Sequence, residues 1–383
     1  MSTASKNLQR FFSQYKILTL LFAIIVIWAF FNHLTNGAFL SARNISNLFR
    51  QMAITGMLAS GMVFIIIAGE IDLSVGSLLG LLGGLAAILD YTYHLPLPMI
   101  FAIVVAAGLF VGGWTGFWVS YFRVPSFIVS LSGFLAFRGI LLGITKGVTV
   151  PIESPGLVAF GQGYLPEIFG NIIAVAVVLF LVVQTFRNRS SRAHYGLLVA
   201  PLWQDVGKLV VTALVVAGFM YTLNSYEGVP VPVLVTLVIL AIFTFMANST
   251  VFGRRIYSIG SNLEATRLSG VNVRLIKVAV FVLMGLMCAL AGLTTTARLA
   301  AGGPSAGTLG ELDAIASCYI GGTSSRGGVG TVYGALIGAL IMASLDNGMS
   351  MLGLDSFWQM IVKGSILLLA VWVDVMSGAG SDR

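Results

Sequence analysis

Gly69-Glu70-Ile71-Asp72-Leu73-Ser74-Val75-Gly76 recurs in form as Gly310-Glu311-Leu312-Asp313-Ala314-Ile315-Ala316-Ser317, and Gly80 is matched by Gly321. A second anchor, Pro125-Ser126-Phe127 against Asp355-Ser356-Phe357, follows each copy, and both anchors stand at the starts of corresponding apolar segments. The recurrence sets four carboxylates, Glu70, Asp72, Glu311 and Asp313, between apolar runs, where an ionised group is costly unless it faces water or a partner. Each pair also precedes a segment whose N-terminal helix dipole favours an anion. Two readings of the four acids follow. They pin breaks in helices beside a solute route, or they cap helices at a loop.

The surroundings of the motif are those of a membrane protein. Of 383 residues, 57% are hydrophobic and 9% charged, whereas about a quarter of a soluble domain is charged. The mean hydropathy is +0.97. The net charge of +7 does not point to nucleic acid, because the cations cluster in short loops without interleaved aromatics. Cys288 and Cys318 lie in apolar segments, spaced neither as a metal site nor as a disulfide framework. His33, His94 and His194 fall at segment ends without ligand spacing, so neither a metal nor another cofactor is expected. The basic start, Met1 to Lys16, has no small-residue cleavage site after the first apolar run and reads as the approach to an uncleaved helix.

Twelve apolar segments fall near residues 17–34, 48–68, 73–90, 97–121, 126–144, 168–186, 207–224, 230–247, 277–297, 309–322, 329–346 and 357–376, the tenth of them short enough to be re-entrant. Spanning takes roughly 17 to 25 residues. With the N-terminus inside, Arg123, the Arg187 to Lys208 loop and the Asn248 to Lys277 loop become cytoplasmic, as the positive-inside bias requires. Arg43, Arg50 and Arg298 are then exceptions on the outer side. The second segment maps onto the ninth, an odd offset, so the two four-helix copies run in opposite directions. Inverted repeats are a transporter architecture, with the substrate route at their interface. The expected fold is an all-α polytopic bundle of about 10–12 helices in one domain, residues 1–383. Its parts are a first helix at 17–34, repeat one at 48–144, middle helices at 168–247, a cytoplasmic loop at 252–276 and repeat two at 277–376.

The loop from Asn248 to Lys277 has one acid among five cations. Within it, Glu264 through Arg267 can form a short helix with Ser261 or Asn262 as N-cap and Gly270 as its left-handed stop. A short capped helix in such a loop suits a protein partner. Glu264-Ala265-Thr266, followed by Gly270, resembles the Glu-Ala-Ala, three residues, Gly pattern with which permease subunits of ATP-binding-cassette importers dock on a separate ATPase. Thr266 replaces the second Ala of that pattern. The resemblance grows along the chain with Gly321-Gly322-Thr323-Ser324, Gly327-Gly328-Val329-Gly330 and Ser344-Leu345-Asp346-Asn347-Gly348, which look like the ribose, xylose and galactose permeases. Pro125 to Val129, Phe137 to Leu141 and Val362 to Trp372 look closest to the D-xylose type, which is similar also in having the insertion at 168–224.

The resemblance implies a permease of vitamin B12 importer-like architecture in the bacterial inner membrane. It would carry a monosaccharide, with D-xylose expected, and work as a homodimer with cytoplasmic ATP-binding subunits and a periplasmic sugar-binding protein. Coupling would rest on Ser261, Glu264, Ala265, Arg267 and Gly270. No Gly-x-x-x-x-Gly-Lys-[Ser/Thr] loop occurs, so ATP hydrolysis is expected on another chain and no catalytic residue on this one. Gly321 to Gly330 reads as a tight cytoplasmic turn, and Asp90 and Asp346-Asn347 as caps at outer segment ends. The competing reading is an ion-coupled secondary transporter or channel, in which intramembrane acids link proton or sodium movement to a small polar solute. The docking-type loop speaks for the importer, as does the expectation that no basic residue pairs with the acids in a helix centre.

Overall fold

The computed structural model describes residues 16–197, 199 and 201–378. The regular structure of the described residues is helical apart from four two-residue strands. In order, the elements are α1 (Lys16–Leu34), α2 (Ala42–Ile67), α3 (Val75–Tyr91), α4 (Leu97–Ser120), α5 (Ser126–Thr145), β1 (Val150–Pro151), α6 (Pro155–Gln162), β2 (Tyr164–Leu165), α7 (Glu167–His194) and α8 (Leu202–Asn224). They continue as β3 (Val229–Pro230), α9 (Val231–Ser249), α10 (Val251–Ser261), α11 (Leu263–Leu268), α12 (Val273–Leu299), β4 (Ala301–Gly302), α13 (Gly310–Ile320), α14 (Val332–Met351) and α15 (Ser356–Gly378).

Each of the twelve apolar segments is helical. Among the described residues, nine helices are long and apolar enough to cross a membrane, and α1 and α3 are shorter apolar helices. The segment expected near 309–322 is a half-helix: α13 has 11 residues, about 16 Å, against about 30 Å of hydrocarbon. The run 303–309 that leads into it is non-helical. Local chemistry sets the ends of the long helices. Ser41 caps α2 by accepting the Asn44 amide, Pro98 sits in the first turn of α4 where no amide is needed, and α5 stops at left-handed Lys146.

The central helix is α12, flanked by α2, α3 and α4. Its seam with α4 is built from glycine. A Cβ at Gly285 would lie 2.0 Å from the Gly108 carbonyl oxygen, and one at Gly112 would lie 2.3 Å from that of Phe281. In a bilayer, where apolar side chains gain nothing by leaving lipid, such backbone approach is what holds helices together. At the end that the charge bias places outside, β1 pairs antiparallel with β4, Val150 opposite Gly302, and β2 with β3, Tyr164 opposite Pro230.

Burial falls off sharply from the centre. Of the most apolar stretch of α2, 78% is buried, against 11% for α5 and α8, 6% for α7 and none for α15. The helices α7 and α8 form a hairpin at the edge, joined to the core through Phe219 on Phe49 (ring centroids 4.6 Å apart) and through buried Met220 and Leu223. By contrast, α5 and α15 each pack on one half-helix, α3 and α13 respectively, and leave their other flanks open.

Candidate functional site

The basic loop folds as two helices. Thr250 caps α10 by accepting the Gly253 amide (3.1 Å), and buried Ile256 and Ile259 turn one face of α10 inward. Gly260 meets the C-terminal end of α2 so closely that a Cβ there would lie 1.8 Å from the Ile67 carbonyl oxygen. That same oxygen accepts the Gly328 amide (2.9 Å), and the Tyr257 hydroxyl donates to Gly330 O (2.7 Å). Burial pushes the Tyr257 pKa up, which keeps the hydroxyl a donor. The turn 321–330, expected to be tight, has positive φ at Gly322, Gly327 and Gly328 and is thereby locked to both α2 and α10.

Ser261 is the last residue of α10, and Asn262 is the N-cap of α11, its Oδ1 accepting the Ala265 amide (2.9 Å). Glu264 lies in the first turn of α11 and Arg267 in the last, each suited to the dipole there. Glu264, Ala265 and Arg267 are exposed, while Thr266 is buried and donates to Asn262 O (2.7 Å). Gly270 follows with φ +84°. Leu268, which the sequence reading passed over, is 85% exposed. It is an exposed apolar side chain on a capped helix that also exposes Glu264 and Arg267, and its apolar character within the basic loop was the available signal.

The four acids fall into two settings. Glu70 forms an ion pair with Lys277 in the first turns of α12. Asp72 is buried and accepts from the Ser74 amide (2.8 Å) and hydroxyl (2.6 Å), a local turn that starts α3. The start of α3 lies deep: the Cys288 thiol, past the midpoint of α12, donates to Val75 O (3.6 Å). Between Lys277 and Cys288 the helix rises about 16 Å, and the non-helical run from Glu70 to Ser74 carries the chain from the one level toward the other. From there α3 runs toward the outer strands, where a Cβ on Gly302 would meet Ala87 at 2.8 Å.

The half-helix α13 starts at the same place and runs the other way. A Cβ at Gly76 would lie 2.4 Å from Gly307 O and 2.1 Å from Glu311 Oε2. At its far end, Gly321 abuts Gly334 in α14. Two helix N-termini thus meet inside the bundle, and Glu311, buried, sits between them. On α13, Asp313 Oδ2 accepts from Lys363 Nζ (3.0 Å), which also pairs with Asp346 Oδ2 (2.9 Å). Arg138, on α5, donates from Nη1 to Pro304 O (2.9 Å) and Ala306 O (2.8 Å). Glu311 Oε2, Asp313 Oδ1 and Asp346 Oδ1 are buried without a protein hydrogen-bond partner.

Two expectations are corrected here. A basic residue does pair with the acids inside a helix: Lys363 lies between Asp313 and Asp346. Asp346, Asn347 and Asp90 are not helix caps. Asp346 belongs to that cluster, Asn347 Oδ1 accepts from Asn44 Nδ2 (2.8 Å), and Asp90 Oδ2 accepts the Glu153 (2.6 Å) and Ser154 (3.0 Å) amides of the outer loop. Of the outer arginines, Arg50 donates to Gln162 O (2.7 Å) and lies over the Tyr164 ring (4.3 Å), so it fastens the loop carrying α6 rather than pairing with an acid.

Comparison with known proteins places these features in a family context. Residues 44–371 match the family described as "Branched-chain amino acid transport system / permease component". The xylose transport system permease protein of Escherichia coli K12 is 55% identical over 359 residues, covering 94% of this chain and 91% of that one. Its counterpart from Haemophilus influenzae is 54% identical over 359 residues, 94% of this chain and 96% of that one. The ribose import permease protein of Escherichia coli K12 is 34% identical over 376 residues, 98% of this chain and 99% of that one. No solved structure matches.

Proposed function

The chain belongs to the branched-chain amino acid transport system / permease component family, and from that premise we propose that it is the permease subunit of an ATP-driven sugar importer whose substrate is D-xylose. The observation that carries the sugar is the 55% identity to a xylose permease over nearly the full length, against 34% to a ribose permease. In this reading a cytoplasmic ATPase docks on α11, through Ser261, Glu264, Ala265, Arg267 and Gly270 together with Leu268. Its closure passes through the Asn272 cap, whose Oδ1 accepts the Leu275 amide (3.1 Å), into α12, the helix on which the bundle is built. A periplasmic binding protein delivers the sugar to the outer face, and a second copy of the chain completes the route. The membrane is the bacterial inner membrane.

Glu70, Asp72, Glu311 and Asp313 stand where the helices break, and the proposal places the route beside them. The test is uptake of labelled D-xylose by proteoliposomes holding this chain, its ATPase and its binding protein. Uptake that needs ATP and all three proteins supports the proposal, and uptake of ribose in preference to xylose removes the sugar assignment.

A second reading has one observation in its favour. Lys363 between two intramembrane carboxylates is an arrangement that ion-coupled transporters use. It requires that vesicles holding this chain alone accumulate sugar under a proton or sodium gradient, an outcome that would displace the importer.

A further inference from the structure

The two half-helices are held in different ways. α3 has 17 residues, most of them buried, and beds against α12, α4 and α5. α13 is shorter, and the run 303–309 that leads into it has Ser305 and Thr308 exposed. That run ends on Leu309 in the left-handed region (φ 63°), a conformation that costs an L-residue with a Cβ about 1–2 kcal/mol. Strain of this kind persists only where the surroundings enforce it.

Contacts on both sides of the run enforce it. On one side the run lies against α3, at Gly76 and Gly80, where a Cβ would come within 2.4 Å of Gly307 O and Ala306 O respectively. On the other side Arg138 holds the Pro304 and Ala306 carbonyls, and Lys363 holds Asp313. Both cations are followed by glycine, Arg138-Gly139 and Lys363-Gly364, with open space at each glycine. Both come from helices whose far flanks are uncovered. A cluster with two carboxylates and one lysine, buried oxygens left unpartnered, cannot border hydrocarbon. The flank it opens on is therefore aqueous or protein-lined.

We infer that α13 with the run 303–309 is the movable gate of the transmembrane route, and that Arg138 and Lys363 are the positioning residues that hold it closed. This rests on the transporter reading but not on which energy source drives it. In the closed state the unpartnered oxygens of Glu311, Asp313 and Asp346 are shut away. Release of the two cations exposes them as hydrogen-bond acceptors for the hydroxyls of a passing polyol or sugar.

The experiment measures leak. In proteoliposomes without ATP, Arg138→Gln and Lys363→Gln should each raise equilibration of D-xylose and of xylitol by roughly tenfold or more, since a hydrogen bond from a charged donor is lost in each. Lys363→Arg should restore the tight state. Assembled variants with leak equal to the unaltered protein overturn the gate. If a Gln variant fails to assemble, Arg138→Cys with Ala306→Cys, joined through two disulfides by a short bis-methanethiosulfonate, decides instead, because Cys288 and Cys318 are buried. Loss of uptake that a reductant reverses supports the gate, and undiminished uptake in the linked protein overturns it. Failure of the sugar-importer reading shows separately, as unaltered protein that takes up no xylose with ATP.

Discussion

Lys277, in the first turns of α12, is paired with Glu70, in the non-helical run that leads into α3. The pair links α11 to the centre of the bundle, because α11 is joined to α12 by only a few residues and Glu70 stands five positions before Val75, where α3 begins. Both side chains are largely covered, with 16% and 14% of their surfaces exposed.

Breaking that link should uncouple the two ends. Removing one partner of a covered ion pair strands the other, at a cost that reaches about 3–5 kcal/mol when burial is complete. Glu70→Lys and Lys277→Glu should each reduce ATP-driven uptake at least roughly tenfold, and the exchanged pair Glu70→Lys with Lys277→Glu should recover much of it. A double-mutant cycle on uptake measures the coupling. Additive losses would show that the two residues act apart.

The second prediction concerns α11. Leu268 is open to solvent in the isolated chain, and burying a leucine side chain against a partner stabilises by about 1.5–3 kcal/mol. Leu268→Asp should therefore lower ATPase co-purification by roughly one to two orders of magnitude, with membrane insertion unchanged. Glu264→Lys reverses a charge in the first turn and should weaken the same complex. Gly270→Val forces a β-branched residue to φ +84° and should impair uptake and ATPase stimulation together. Full co-purification of Leu268→Asp with the ATPase would remove α11 as the docking surface.

How far these features were legible depended on how local their causes are. Hydropathy over a window of spanning length found the twelve apolar helices, and Asn262, Glu264 and Gly270 announced α11 because a cap and a left-handed stop act within a few residues. The half-helix α13 was harder: its 11 residues continue into an irregular run whose course only the packing on Gly76 and Gly80 sets. Arg138 and Lys363 were invisible as partners. The carbonyls Arg138 holds are 166 and 168 positions away, and Asp313 is 50 positions from Lys363. A cation inside an apolar segment shows that some partner exists, but spacing in the sequence does not say which.

A third prediction separates two kinds of glycine. Gly285 is locked against the Gly108 backbone, so Gly285→Val should overpack the α4–α12 seam, cost about 1–3 kcal/mol and reduce the yield of folded protein. Gly139 and Gly143, spaced four apart on the open flank of α5, have nothing within 4 Å of a built Cβ. If the second copy docks there, Gly143→Leu should leave folding intact and reduce the dimer fraction seen by native mass spectrometry in detergent. An unchanged dimer with Gly143→Leu would place the homodimer contact elsewhere, with the open flank of α15 as the next surface to probe.

The last prediction concerns the α7–α8 hairpin at the edge of the bundle. Its most apolar stretches are 6% and 11% buried, and its attachment narrows to Phe219 on Phe49 and to Met220 and Leu223. A few contacts on the core make the hairpin an element that detaches before the rest of the bundle unfolds. Phe219→Ala with Leu223→Ala removes two of those contacts, each worth about 2–5 kcal/mol. That loss should exceed what holds the hairpin, so limited proteolysis should cut first near Gly196, in the turn between the two helices. Gln184→Ala, on the exposed part of α7, should leave both proteolysis and transport as they are. The ratio of xylose to ribose uptake should stay constant in all these variants, because none of the groups gathered around α13 comes from the hairpin. A shift in that ratio with Gln184→Ala would move the hairpin from the edge of the protein to the wall of the route.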